Sequence, residues 1–172
     1  DFLLARFNHW YGSNDAGDAW ARIVMPATSH LPGNVYWQAR AINIDALPRY
    51  QSPRARRGDA VVVVWPRNNL TIPRSAVVEG PMDALAAAGE GYVGIALLGV
   101  TQYTPNAECL DLTAELIRGT MCTVVADSDA LPEMTRVFQY LVQVRADVRL
   151  VEPRPYSDLA GAPPEGRRRI LA

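Results

Sequence analysis

Lysine is absent from this chain: all 17 of its basic side chains are arginine, set against 18 acids among 172 residues. The resulting net charge of −1 excludes a globally basic nucleic-acid binder and leaves room for a local basic patch. An all-arginine inventory reflects a GC-rich genome before any function, yet it also suits bidentate contact with phosphate better than lysine would. Cysteine is scarce. Cys109 and Cys122 match neither a zinc pattern nor a disulfide framework, and both read as reduced core thiols. His9 and His30 stand apart and read as surface or turn residues, so no zinc site is expected. No apolar run approaches the roughly 20 residues needed to cross a bilayer, and nothing resembles a signal peptide; a cytoplasmic protein without a membrane partner is expected. The missing Met before Asp1 reads as a processed chain or an excised fragment.

What is present is enough for a core. At 49% hydrophobic and 20% charged, the chain can build one compact domain with a small appended lobe. Up to about Trp65 the texture is short strands and turns. Arg22–Pro26 and Val35–Ile42, joined through Leu31-Pro32-Gly33-Asn34, predict a β-hairpin. Pro48, Pro53 and the basic run Arg54-Ala55-Arg56-Arg57 predict a loop before a strand at Ala60–Trp65. From Ser75 the rhythm changes to strands at Ser75–Val78, Tyr92–Leu98, Met121–Ala126 and Val148–Val151. Between them lie helices at Pro81–Ala88, Pro105–Arg118 and Pro132–Ala146, the first two stopped by Gly89 and Gly119. Such alternation implies an α/β fold, a central parallel sheet with right-handed crossovers and flanking helices. The expected organisation is a mainly-β subdomain over residues 1–70, an α/β domain over 71–160, and a tail over 161–172. The prolines at 153, 155, 163 and 164 make everything after Glu152 read as loop and mobile end.

Acids sit at the ends of two of those strands. Glu79 and Asp83 follow Ser75–Val78 in VVEGPMDAL, and Asp127 and Asp129 follow Met121–Ala126 in VVADSDA. Both runs are β-branched and apolar throughout, as strands buried on two faces are. Ligand crevices in open α/β sheets lie beyond the strand C-termini, so acids from neighbouring strands can converge there on one ion. Carboxylate oxygens suit Mg²⁺ or Mn²⁺. Helix capping is the competing reading, because Gly80-Pro81 and Pro132 mark helix starts where acids complement the dipole.

With those positions in place, EGPMDAL, then LLGV, then VVADSD resembles a TOPRIM domain, the metal-binding module of DnaG-type primases, type IA and type II topoisomerases, OLD-family nucleases and recombination mediators. Upstream, RIVMPATSHLPGNVYWQARAI and LPRYQSP are similar to the segment that precedes this module in bacterial and phage primases, with Arg40, Arg49, Tyr50, Ser52 and Pro53 on matching positions. The resemblance runs from Arg22 to Asp158 and implies a TOPRIM fold behind a small β subdomain. Departures mark a divergent relative, plausibly phage-encoded. Ser128 interrupts the usual Asp-Gly-Asp, and Arg154-Pro155-Tyr156-Ser157-Asp158 keeps only the last acid of a further family motif.

The resemblance implies the catalytic core of a DNA primase, making short RNA primers on single-stranded DNA from ribonucleoside triphosphates by metal-dependent nucleotidyl transfer. By it, Glu79, Asp127 and Asp129 are catalytic and hold Mg²⁺ or Mn²⁺, with Asp83 and Asp158 as further metal-site acids. Arg40, Arg49, Tyr50, Arg54, Arg56 and Arg57 line the nucleotide and template path. Tyr36 and Trp37 are expected either to stack bases or to pack the hairpin, packing being the stronger expectation for Trp37. Without a zinc ribbon or helicase motif of its own, the chain would rely on a separate zinc-binding subunit and a replicative helicase. A TOPRIM nuclease or repair protein using the same acids, and a non-catalytic nucleic-acid-binding replication module, are the alternatives.

Overall fold

The computed structural model describes residues 22–29, 36–43, 45, 47–52, 60–66, 74–98, 106–144 and 147–172. Three strands open the chain: β1 (Arg22–Ser29), β2 (Tyr36–Ala41) and the two-residue β3 (Tyr50–Gln51). After them come β4 (Ala60–Val64), β5 (Arg74–Val78), helix α1 (Pro81–Gly89), β6 (Val93–Ala96) and α2 (Ala107–Leu116). The remainder is β7 (Met121–Val125), α3 (Leu131–Val144), β8 (Val148–Val151) and α4 (Pro164–Leu171).

All eight strands join one mixed sheet in the order β3-β2-β1-β4-β6-β5-β7-β8. The half from β6 to β8 is parallel, and β1 to β4 form an antiparallel half that meets it where β4 pairs antiparallel to β6. The segments of different texture on either side of residue 70 therefore share one sheet. Period-2 alternation divides the side chains between two faces. Ala76, Val78, Ala96 and Leu98 pack with Met25 and Tyr36 beneath α1 and α4. Val61, Val77, Ile95 and Val124 pack on the other face beneath α2 and α3, around Met134 and Leu141. The α/β fold expected from the strand and helix rhythm is the one found.

Two elements run further than their sequence suggests. β1 continues through Pro26 to Ser29, although a proline was expected to end it. Pairing with β4 begins only at Ala27, so on that side the missing N–H interrupts no ladder. The region after Glu152 was expected to be loop, yet it carries α4, with Leu159, Ala162, Ile170 and Leu171 buried against α1 and β6. Its prolines precede the helix or occupy its first position, where no N–H is needed; Glu165 sits in the first turn and Arg168 and Arg169 in the last, matching the dipole. The α4 terminus is held by Tyr92 and Arg149, which donate to the Leu171 carbonyl at 2.5 and 2.6 Å.

Helix α1 lies unusually close to the sheet. A Cβ on Gly94 would stand 2.1 Å from the Ala84 carbonyl oxygen, so only glycine allows this approach. The alanines of α1 are the matching half of the contact, with Ala84 and Ala87 fully buried. Gly94→Ala must push a backbone away, since no flexible side chain is there to yield. We expect a stability loss of about 3 kcal/mol or more by urea denaturation; a loss below roughly 1 kcal/mol would show that α1 rides more loosely on β6.

Candidate metal centre

Parallel strands β5 and β7 are direct neighbours, with Val77 level with Val124. The chain therefore leaves both strands at the same edge, delivering Glu79 from one and Asp127 and Asp129 from the other. One carboxylate oxygen of each lies within 4.8 Å of the other two. Glu79 and Asp127 are half-buried and Asp129 is exposed, so the group opens to solvent on one side. Asp83, in the first turn of α1, is buried and turns toward the C-terminal segment, where its Oδ1 accepts the Ala160 N–H at 2.8 Å. Asp158 accepts the Gly161 N–H on Oδ1, and the Ser157 hydroxyl donates to its Oδ2. All five acids line one cleft of about 750 Å³.

Among the described residues, no basic side chain lines that cleft. Burial and the neighbouring carboxylates raise the proton affinity of Asp127 and Asp83. Burial first, and then the charges of Asp83, Glu79, Asp158 and Asp129, push the Asp127 carboxyl up to about 7. Asp83 is pushed up to about 6, again by burial first and then by Asp158 and Glu79, while the Ala160 N–H works the other way. At α1 the N-cap is Gly80 and no side chain makes a capping hydrogen bond, while Asp83 stands in the first turn, where the helix dipole favours an acid. An all-oxygen set of clustered carboxylates fits a hard divalent cation such as Mg²⁺ or Mn²⁺. Glu79, Asp127 and Asp129 are placed to hold it, and Asp83 and Asp158 lie outside that closest group.

The sequence-derived nucleic-acid residues divide. Tyr50 lines the cleft, and its hydroxyl accepts a 2.6 Å hydrogen bond from Arg40, whose guanidinium stands 5.3 Å from the ring centroid. Arg49 is exposed away from the cleft wall; its carbonyl accepts the Ala41 N–H. Arg54, Arg56 and Arg57 lie outside the described residues. Tyr36 is 1% exposed and packs in the core, which removes it from base stacking. Trp37, on the opposite face of β2, is half-buried. Two cleft residues went unread in the sequence. Gln38 shares its face of β2 with Arg40, but strand alternation alone does not place it at a cleft. Leu98 lines the floor at φ 62, a backbone state that no residue pattern announces.

No protein-family model matches the sequence, and no curated protein is significantly similar to it. In structure, the chain is similar to the RNA polymerase domain of the primase DnaG from Mycobacterium tuberculosis, with a TM-score of 0.57 and 15% identity. That likeness covers 88% of this chain and 55% of the other, so the chain spans about half the length of that protein. A small TOPRIM domain protein from Bacillus stearothermophilus aligns at a TM-score of 0.41 and 22% identity, over 58% of this chain and 86% of that one. The first comparison establishes a shared, primase-like α/β fold.

The crowded acids give a pH signature. Asp127 and Asp83 bind protons more tightly folded than unfolded, so their contribution to stability is full below the ordinary carboxylate range and is lost as pH rises through about 6 to 7. In chelator, the melting temperature should fall between about pH 5 and about pH 8. Millimolar Mg²⁺ should restore it at the upper end, and Asp127→Asn should flatten the fall and abolish the Mg²⁺ effect. A chelator profile that is level, or an Asn variant still stabilised by Mg²⁺, would remove Asp127 from the metal centre.

Proposed function

We propose that this chain is the catalytic core of a DNA primase, or part of one, which makes short RNA primers on single-stranded DNA from ribonucleoside triphosphates. The observation that carries the proposal is the convergence of Glu79, Asp127 and Asp129 at the C-terminal edge of β5 and β7, within a primase-like fold. The TOPRIM resemblance of the motifs bearing these acids supports the same chemistry. In this reading Glu79, Asp127 and Asp129 hold Mg²⁺ or Mn²⁺, with Asp83 and Asp158 shaping the field around it. Such an ion would neutralise the triphosphate and the charge that builds up as a 3′-hydroxyl attacks the α-phosphorus, the α–β phosphoanhydride bond breaks and pyrophosphate leaves. By the same resemblance Glu79 serves as the metal-proximal acid or as general acid/base toward that hydroxyl.

Tyr50 lines the cleft with Arg40 bonded to it from outside the lining, and Arg40, Arg49, Arg54, Arg56 and Arg57 would line the nucleotide and template path, as the resemblance implies. Phosphate contacts of this kind dominate affinity and make it salt-sensitive. In this reading the chain's remaining partners are a replicative helicase and a separate zinc-binding subunit, in the cytoplasm of a bacterial host, and the chain is phage-encoded. Among the described residues no helix is long and apolar enough to cross a membrane.

The proposal is tested by RNA synthesis on single-stranded DNA with labelled ribonucleotides and Mg²⁺ or Mn²⁺, comparing the chain with Asp127→Ala. Short RNA products reduced at least roughly 100-fold in the variant are expected. Metal-dependent DNA fragments without RNA would replace the primase reading with a nuclease, and bound but unaltered DNA would leave a non-catalytic module. For the template path, reversing the charges of Arg54, Arg56 and Arg57 should weaken single-stranded DNA binding and shallow its salt dependence. Unaltered affinity would take these three residues off the path.

A further inference from the structure

Opposite the acids, one side chain is placed to read something uncharged. Gln38 is 9% exposed, yet it lines the cleft. On β2 it lies between Tyr36 and Arg40 on one face and is level with Met25 of β1, so its surroundings on the strand are core. Among the described residues, no group is hydrogen-bonded to its side-chain amide. Its amide atoms are not among the fully buried polar atoms left without a partner, so they reach the cleft, where a ligand group can take the place of water. Tyr50 stands beside it. Because the phenol oxygen accepts from Arg40, the hydroxyl proton remains to be donated into the cleft. The cleft thus has a charged wall of carboxylates and a neutral wall of amide and phenol.

We infer that Gln38 distinguishes ribonucleotides from deoxyribonucleotides by exchanging hydrogen bonds with the sugar 2′-hydroxyl, an inference that rests on the nucleotidyl-transfer reading above. A neutral amide offers a donor and an acceptor together, and a hydroxyl is the nucleotide group that returns both. Phosphates are matched to the cation side of the cleft. Base edges are a poor match, because a template-directed enzyme must take four bases whose donor and acceptor patterns differ, while one fixed amide suits one pattern. Sugar hydroxyls are common to all four nucleotides. A deoxyribose leaves the Gln38 amide with no partner, and a site built around a hydroxyl rejects the analogue that lacks it. The neutral wall therefore sets sugar selectivity, and the acids set the chemistry.

The test is calorimetric binding of ATP, GTP, 2′-dATP and 2′-dGTP to the whole chain in Mg²⁺, which needs no turnover. Wild type should bind both ribonucleotides about tenfold to a hundredfold more tightly than their deoxy counterparts. In Gln38→Met, which keeps the length and apolar bulk, the ratio should fall to near one for both bases. Gln38→Asn draws the amide back by one methylene and carries the same expectation should the Met variant fail to melt cooperatively. A wild type that binds all four equally, or folded variants that keep the preference, would overturn the inference and leave the primase reading standing. A wild type that binds none of the four would bring down both.

Discussion

Everything at the acidic edge depends on the parallel pairing of β5 with β7. Because side chains alternate with a period of two, a one-residue slip between these strands would carry Val77 and Val124 to opposite faces and separate the two acidic turns. The register is secured from both sides. Val78 and Ala76 are buried toward α1, while Val77 and Val124 are buried toward α2 and α3. Hydrophobic packing of strands that carry no chemistry thereby fixes the position of side chains that do. The close approach of α1 at Gly94 extends the same control, since it positions the first turn of the helix and, with it, Asp83.

Asp83 joins two parts of the molecule. It faces the other acids electrostatically and is tied by a hydrogen bond to the backbone at Ala160. That bond anchors the segment which brings Asp158 to the cleft and leads into α4. The carboxylates repel one another, and the neighbouring N–H groups of Ala160 and Gly161 offset part of that repulsion. Those two donors serve Asp83 and Asp158, the acids outside the trio of Glu79, Asp127 and Asp129.

How much could be read without coordinates follows from the range of each signal. Strands β5 to β8 and helices α1 to α3 announce themselves through continuous apolar runs, periodicity and glycine stops, all local features. The acids at strand ends were legible for the same reason, and so was their convergence, which requires only that two parallel strands be neighbours. Helix α4 was misread because its prolines look like loop until one asks whether they stand before the first turn or within it. Gln38 escaped because a lone glutamine in a strand has no chemistry of its own; its meaning comes from a cleft formed by residues far apart in the chain. The strand order was equally hidden, because β6 inserts between β4 and β5 without any local mark of it.

That insertion bears on how the chain is made. Residues emerge from the ribosome in order, and β1 to β4 are complete long before Val93–Ala96 exist. Until then β4 has β1 on one side and no neighbour on the other, an unpaired strand edge made of Ala60–Val64. Such an apolar edge is a template for pairing with another chain. Closing it takes roughly thirty more residues of synthesis, about two to six seconds at typical elongation rates. Early in its life, then, the nascent polypeptide depends on chaperones or on speed to protect the strand that later joins its two halves.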